Sequence, residues 1–86
     1  MKQNEFKTLA VQLIEFTISQ IDKQTAFLQQ LNQTKQAVNN DNIQKDDLIT
    51  IHNTVQWNDD LTPVFSSKQL QEFKEYINNE LKQYKK

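Results

Sequence analysis

Residues 6–38 contain no glycine or proline, and their apolar residues recur mostly at intervals of three or four. This is the spacing of an amphipathic α-helix, so the pattern predicts one long helix over residues 5–38. At about 1.5 Å per residue the helix would be about 50 Å long, whereas a compact chain of this length has a radius of gyration of about 12 Å. The helix must therefore project, bend or be met by a second chain.

The apolar face of residues 6–21 is too wide to be covered by one neighbouring helix. When placed at about 100° per residue, its apolar positions span roughly 220°, against the ~100° stripe of a helix that packs on one side. After residue 21 the stripe narrows and glutamines fill the flanking positions. One part of this wide face is expected to pack in the hydrophobic core. Another part is expected to be a dimer seam or a partner-binding surface. Its candidate interface residues are Phe6, Leu9, Leu13, Phe16 and Ile18.

The first helix is predicted to stop at the Asn-Asn-Asp-Asn run of residues 39–42. The short polar side chains of asparagine and aspartate compete for nearby backbone groups, which suits turns and caps better than helix interiors. Either Asp41 or Asn42 can then cap a second helix, predicted over residues 43–57.

A joint is predicted at residues 58–66, where the helical pattern is interrupted by Pro63. Proline lacks an amide hydrogen and pushes the residue before it out of helical geometry. Ser66 and Gln69 then have the spacing of a capping box, which predicts a third helix over residues 67–85.

These elements predict an all-α fold, a small antiparallel bundle of three helices built on one long N-terminal helix. The whole chain, residues 1–86, is then a single helical domain. The alternative is a four-helix bundle, which requires the first helix to break near Gln29 and Gln33.

Composition argues against several classes of function. The chain has no cysteine, which excludes disulfides and thiolate metal sites and fits a reducing compartment. It has no glycine, which excludes a glycine-rich phosphate loop. Ten lysines, no arginine and a net charge of −1 argue against nucleic acid as a partner. No stretch approaches the ~20 apolar residues that span a bilayer, and the first helix lacks the flanking lysines of a membrane-surface helix. We expect a cytoplasmic protein.

The residue pattern contains no recognisable catalytic, metal or cofactor site. His52 is the single histidine, and it has no second ligand one helical turn away, so it is interpreted as a half-buried structural residue. The acidic pairs at residues 46–47 and 59–60 lack the frame of a calcium loop. Ser66 and Ser67 are better explained by helix capping than as nucleophiles. The chain is therefore predicted not to be an enzyme and to need no cofactor.

Two aromatic residues fall beside the apolar stripes of their helices. Trp57 lies next to the acidic joint, where it either caps the bundle core, the simpler interpretation, or stands exposed as an anchor for a protein contact. Tyr76 likewise flanks the stripe of the last helix. Both join the candidate interface residues.

We interpret the chain as a non-enzymatic protein–protein interaction protein. Unused apolar surface and the lack of catalytic patterns suit a small inhibitor or regulator that occludes a partner's surface. Abundant lysine, asparagine and glutamine are typical of AT-rich genes, which suggests a Gram-positive bacterium or a phage-like mobile element. The partner is another protein, either a heterologous one or a second copy, and we expect a homodimer.

Two alternatives stay open. The Phe65-Ser66-Ser67-Lys68 entry into a helix carrying Leu70, Phe73 and Ile77 resembles the last two helices of bacteriocin immunity proteins. That resemblance implies an antiparallel four-helix bundle and an immunity function, and it requires the break in the first helix. The other alternative is a structural or assembly subunit, with a homotypic coiled coil along the first helix. Its seam would be Ile14, Ile21 and Leu28 at one position and Ala10, Leu31 and Val38 at the other.

Overall fold

The computed structural model describes residues 1–21 and 26–84. Within these residues the chain forms four α-helices and no strand, so the predicted all-α helical bundle is confirmed. The helices are α1 (Gln3–Ile18), α2 (Ala26–Asn39), α3 (Lys45–Trp57) and α4 (Ser67–Lys82). The radius of gyration is 12.2 Å, as expected for a compact chain of this length.

The prediction of one long helix over residues 5–38 is wrong. The α1 helix ends at Ile18, and the amide of Gln20 then donates to the carbonyl of Thr17, an i to i+3 bond that tightens the last turn. The Ser19 hydroxyl donates to the carbonyl of Phe16 at 2.6 Å and so competes for a helix carbonyl. Residues 22–25 of the predicted helix lie outside the described residues.

The chain thus has the four helices of the alternative prediction, but the break lies elsewhere. It falls between α1 and α2, whereas Gln29 and Gln33 both lie inside α2. The physical reason is the width of the apolar face on α1. A break directly after that face lets α2 fold back and cover it. A break near Gln29 would leave more of the face uncovered.

The turn after α2 confirms the predicted stop but corrects the predicted cap. The amide of Asn42 donates to the carbonyl of Ala37 at 2.8 Å, and the amide of Asp41 donates to the carbonyl of Val38 at 3.3 Å. These two bonds form a Schellman motif, with Asp41 in the left-handed region at φ 56°. Because this turn uses both Asp41 and Asn42 to end α2, neither of them caps the next helix.

The N-cap of α3 is Gln44, and the helix begins at Lys45 rather than at residue 43. Gln44 and Asp47 occupy the two positions of a capping box, and the amide of Gln44 donates to the Asp47 carboxylate at 2.9 Å. The sequence signal was missed because glutamine is an uncommon N-cap. The α3 helix ends at Trp57, as predicted.

The predicted capping box at the start of α4 is confirmed. The amide of Gln69 donates to the Ser66 hydroxyl at 3.2 Å, and the amide of Ser66 donates to the Gln69 side-chain oxygen at 3.0 Å. The helix ends at Lys82, before the predicted end at residue 85. Lys85 and Lys86 lie outside the described residues.

Contacts between residues far apart in sequence show that neighbouring helices are antiparallel. Lys7, near the start of α1, forms an ion pair with Asp41, just after the end of α2. The hydroxyl of Thr34 in α2 donates to the Asp47 carboxylate at the start of α3 at 3.2 Å. The ring of Phe6 in α1 stacks on that of Phe73 in α4, with centroids 4.9 Å apart. One end of the bundle therefore carries the starts of α1 and α3, and the other end carries the starts of α2 and α4.

All four helices contribute to the core. Its buried apolar residues are Phe6, Leu9, Ala10, Leu13, Ile14, Leu31, Val38, Leu48, Ile51, Val55, Leu61, Phe65, Phe73 and Ile77. Four of the coiled-coil seam residues, Ala10, Ile14, Leu31 and Val38, are fully buried in this core. The seam is therefore divided between two helices that pack on each other, and the continuous helix required by a homotypic coiled coil is absent from the described residues.

Candidate protein-interaction surface

Three of the candidate interface residues are in the core. Phe6, Leu9 and Leu13 are 1%, 6% and 0% exposed, respectively. The prediction that they form a partner or dimer interface is therefore corrected, because helices of the same chain already cover them. The wide face of α1 receives its additional neighbour from within the chain once α2 folds back.

Tyr76 lies apart from Phe16 and Trp57. It is half-buried on α4, and its ring stacks on that of Phe6 with the centroids 4.2 Å apart. Because Phe6 is near the start of α1, Tyr76 lies at the opposite end of the bundle from Trp57, which ends α3. These two aromatic residues cannot belong to one compact site.

Phe16 and Trp57 do come together. They line a groove of about 390 Å³ at the end of the bundle where α1 and α3 finish, which we call the Trp57 groove. Its lining residues are Phe16, Gln20, Trp57, Asn58, Asp59, Asp60 and Pro63. Ile18, the remaining candidate, is half-buried at the end of α1 and does not line the groove.

Trp57 stands at the surface, so the prediction that it caps the core is wrong. Its side chain is 47% exposed, the highest value among the large hydrophobic residues that the structure describes. The indole is nevertheless supported on one side, because its ring centroid lies 5.7 Å from that of Phe27, at an interplanar angle of 47°. Such a tilted pair limits the motion of the indole while leaving much of it open.

A hydrogen-bond network fixes the floor of the groove. The Asn58 side-chain amide donates to the Thr17 hydroxyl at 3.0 Å and to the Thr54 carbonyl at 2.9 Å. The Gln20 side chain in turn donates to the Asn58 side-chain oxygen at 3.2 Å. Thr17 and Thr54 are both buried. The ends of α1 and α3 are thereby tied together by Asn58, the residue that follows Trp57.

The rim of the groove is acidic. Asp59 and Asp60 are both exposed, and none of the described residues that line the groove is a lysine. Asp60 accepts hydrogen bonds from the Thr62 amide at 3.0 Å and from its hydroxyl at 2.8 Å. Both hydrogen bonds lower the pKa of Asp60 below its usual 3.8, and the one from the Thr62 amide has the larger effect. The groove therefore carries negative charge at neutral pH.

The other exposed hydrophobic side chains in the described part of the chain are Ile49 and Tyr84, 39% and 43% exposed, and neither lines this groove. His52 is half-buried, as predicted, with its ring Nε2 3.2 Å from the Gln56 side-chain nitrogen.

Residues 1–21 and 26–84 hold no group of three or more histidine, cysteine or acidic side chains close enough to bind one metal ion. Nor do these residues include a helix with both the length and the apolar content needed to cross a membrane.

Sequence reasoning missed Phe27, Asn58 and Gln20 as parts of this surface. Phe27 was assigned to the apolar stripe of one continuous helix, and only the break before α2 brings it to Trp57. Asn58 could have been found, because asparagine directly after a helix often satisfies the last carbonyls. Gln20 carries no local signal of its contact with Asn58.

Comparisons of the chain with protein-family models, with curated proteins and with solved structures found no match.

Proposed function

We propose that the chain is a non-enzymatic interaction protein, a small inhibitor or regulator that occludes a partner's surface by binding it through the Trp57 groove. The observation that carries the proposal is the exposed Trp57 side chain, which packs against Phe27 and lines a groove beside the hydrogen-bonded Asn58. Tryptophan is among the residues most enriched at binding hot spots, because one side chain buries a large area and loses few rotamers.

The acidic rim indicates the chemistry of the partner. Asp59 and Asp60 would repel an acidic surface and attract lysine or arginine side chains. An arginine placed over the free part of the Trp57 ring gains a cation–π contact as well. The proposed partner therefore presents a basic side chain beside an apolar patch.

The groove is the centre of the proposed interface rather than the whole of it. A stable complex usually buries about 800 Å² per partner, which is about one seventh of the 5807 Å² accessible surface of this chain. Phe16, which lines the groove, and Phe27, which contacts Trp57, extend the apolar area around Trp57. Ile18 is half-buried at the same end of the bundle.

The homodimer expected from the sequence depended on an uncovered face of α1. With Phe6, Leu9 and Leu13 buried, that face is closed to a second copy. Self-association through the proposed binding surface would use the Trp57 end. A two-fold dimer places the same patch of both copies in contact, which would bring the Asp59 and Asp60 carboxylates of the two chains together. The charge therefore favours a heterologous partner. Light scattering distinguishes the cases, since a single chain has a mass of 10.2 kDa.

The setting is proposed on composition alone, as the cytoplasm of a Gram-positive bacterium or a phage-like element acting there. Immunity against a bacteriocin is the second candidate function, and the observation that favours it is the presence of four helices, which that resemblance requires. An immunity protein should protect a sensitive strain when it is expressed alone. Failure to protect against a panel of bacteriocins would count against this candidate.

The proposed function is tested by comparing three baits captured from bacterial lysate: the natural chain, Trp57→Ala and Ile49→Ala. Each is immobilised through its N-terminus, which lies at the opposite end of the bundle from Trp57. Truncating a hot-spot residue costs about 2 kcal/mol or more, or about thirtyfold in affinity. We expect a protein with a basic surface to be captured by the natural chain and by Ile49→Ala, and lost with Trp57→Ala. Equal capture by all three baits would overturn the proposal.

A further inference from the structure

A second concave site lies at the end of the bundle opposite the Trp57 groove. It has a volume of about 160 Å³ and lies where α1 and α3 begin and α4 ends, and we call it the Tyr76 pocket. Its base is apolar, because it includes the buried side chains of Phe6 and Leu48. A cavity of about 150 Å³ can hold a benzene molecule, so this pocket suits a ligand group of about six heavy atoms.

The walls of the pocket are aromatic. Tyr76 is held in a fixed position by stacking on Phe6, at a centroid distance of 4.2 Å. Tyr84, which also lines the pocket, is 43% exposed and leaves much of its ring open. The faces of aromatic rings carry negative partial charge and attract cations within about 6 Å of the ring centroid.

The charged groups at the pocket are acidic. Glu80 and Asp41 line it, and the described lining residues include no lysine. Asp41 pairs with Lys7, which does not line the pocket, so the charge of Asp41 is partly compensated. Glu80 lies one helical turn after Tyr76 on α4, and both residues line the pocket, which places the Glu80 carboxylate beside the aromatic wall. The pocket therefore combines an apolar base, tyrosine walls and two carboxylates, one of which is paired with a lysine.

We propose that the Tyr76 pocket binds an alkylammonium group, as found in a lysine side chain or a free primary amine. The alkyl part would lie on Phe6 and Leu48, and the ammonium group would lie between Glu80 and the ring of Tyr84. An anion would be repelled by both carboxylates. A neutral apolar ligand would bury Glu80 without a partner for its charge. This site does not depend on the function proposed for the Trp57 groove.

The test is a titration of the full chain with n-butylammonium, followed by the chemical shifts of backbone amides. We expect saturable shifts around Ile43, Tyr76 and Tyr84, with millimolar affinity. The neutral isostere n-butanol and the anion valerate, which carries the same butyl chain, serve as matched probes. If either shifts the same amides as strongly as n-butylammonium, the pocket does not select for a cation and the proposal is overturned.

Two variants measure how much the carboxylate and the open ring each contribute to n-butylammonium binding. Glu80→Gln keeps the size of the side chain and removes its charge, and should weaken n-butylammonium binding about threefold to fivefold. Tyr84→Leu removes the open ring and should weaken it about twofold to fivefold. Glu75→Gln, at an exposed position of the same helix that does not line the pocket, should leave it unchanged. Equal affinity in Glu80→Gln, with the fold intact by circular dichroism, would contradict the proposal.

The source of the ligand is distinguished by a second titration with N-acetyl-lysine methylamide. Binding of this compound as well as n-butylammonium would identify a site for lysine side chains of peptides or proteins. Binding of n-butylammonium alone would identify a site for small free amines. Both results support the proposal, whereas no saturable shift with either compound would overturn it.

Discussion

The side-chain amide of Asn58 donates a 3.0 Å hydrogen bond to the hydroxyl of Thr17, which lies 41 residues earlier in the chain. Thr17 is fully buried and also donates to the carbonyl of Leu13 at 2.8 Å. This contact therefore links the last turn of α1 to the first residue after α3. It also fixes the floor of the Trp57 groove, so stability and the proposed binding surface share one structural feature.

Replacing Asn58 with alanine should lower the free energy of unfolding by about 1–2 kcal/mol, because hydrogen bonds to Thr17, Thr54 and Gln20 are lost together. Asn53→Ala is the control, because Asn53 is exposed on α3, the helix that Asn58 follows, and its loss should not destabilise the chain. Urea unfolding of both variants measures the difference. An Asn58→Ala variant as stable as the natural chain would show that the network contributes nothing.

The capping box of α4 gives a second prediction. Ser66→Ala removes the hydroxyl that accepts from the Gln69 amide and should cost about 1 kcal/mol. Ser67→Ala, one residue later and inside the helix, should change stability by less than about 0.5 kcal/mol. Thermal unfolding of the two serine variants separates capping from the loss of a hydroxyl. Equal effects would contradict the assignment of Ser66 as the cap.

Asp41 provides a third prediction, because it is a non-glycine residue at φ 56°. Asp41→Val places a β-branched side chain in the left-handed region and should destabilise the chain by about 1–2 kcal/mol. Asp41→Asn keeps a residue that tolerates this conformation and loses only the exposed ion pair with Lys7, so it should cost less than about 1 kcal/mol. Denaturant unfolding measures both. If valine and asparagine are tolerated equally, the Schellman turn is not formed as described.

Tyr76 gives a prediction about pH. The pKa of Tyr76 is raised above its usual 10.0. The largest cause is burial of the phenol, followed by the charge of Glu80 and a hydrogen bond to Glu80. The folded chain therefore holds the phenol proton more tightly than the unfolded chain. This contribution to stability is present below pH 10.0 and is lost as the pH rises through the pKa of the folded state.

Substituting Tyr76→Phe should remove this alkaline loss of stability, and Glu80→Gln should reduce it by removing the charge and the charged acceptor. The measurement is the free energy of unfolding in urea at a series of pH values that bracket 10.0. An unchanged alkaline slope in Tyr76→Phe would assign the loss to other groups.

Local sequence signals predicted much of the fold. The Ser66 and Gln69 pair identified the start of α4, and the run at residues 39–42 identified the end of α2, because capping and turn preferences depend on residues close together in sequence. Helix periodicity also gave the all-α class. In each of these cases the deciding interactions lie within one turn of the chain.

The break after Ile18 was not predictable from the periodicity, since the apolar spacing continues across it. The local signals for a helix end at this position are the Thr17 and Ser19 hydroxyls, which compete for helix carbonyls. The contact between Trp57 and Phe27 depends on that break and on the packing of α2 against α3, so it is a tertiary property. The candidate site was therefore predicted only for Phe16 and Trp57, while Phe6, Leu9 and Leu13 were misplaced on the surface.

The central claim, that Trp57 lines an open and negatively charged surface, is tested most directly by its fluorescence. Trp57 is the single tryptophan of the chain, so the emission reports on it alone. Quenching by caesium and by iodide ions is measured at equal ionic strength, over a tenfold range of protein concentration. Each quenching constant is normalised to that of free N-acetyl-tryptophanamide.

We predict that both ions reach Trp57 and that caesium is the more effective after normalisation, because Asp59 and Asp60 attract cations and repel anions. Asp59→Asn with Asp60→Asn should abolish the difference between the two ions. If the partner is heterologous, as proposed, the constants should not change with protein concentration, because a dimer through this end would cover the groove as the concentration rises. Emission that neither ion quenches, or quenching that falls as the concentration rises, would contradict an open Trp57 groove.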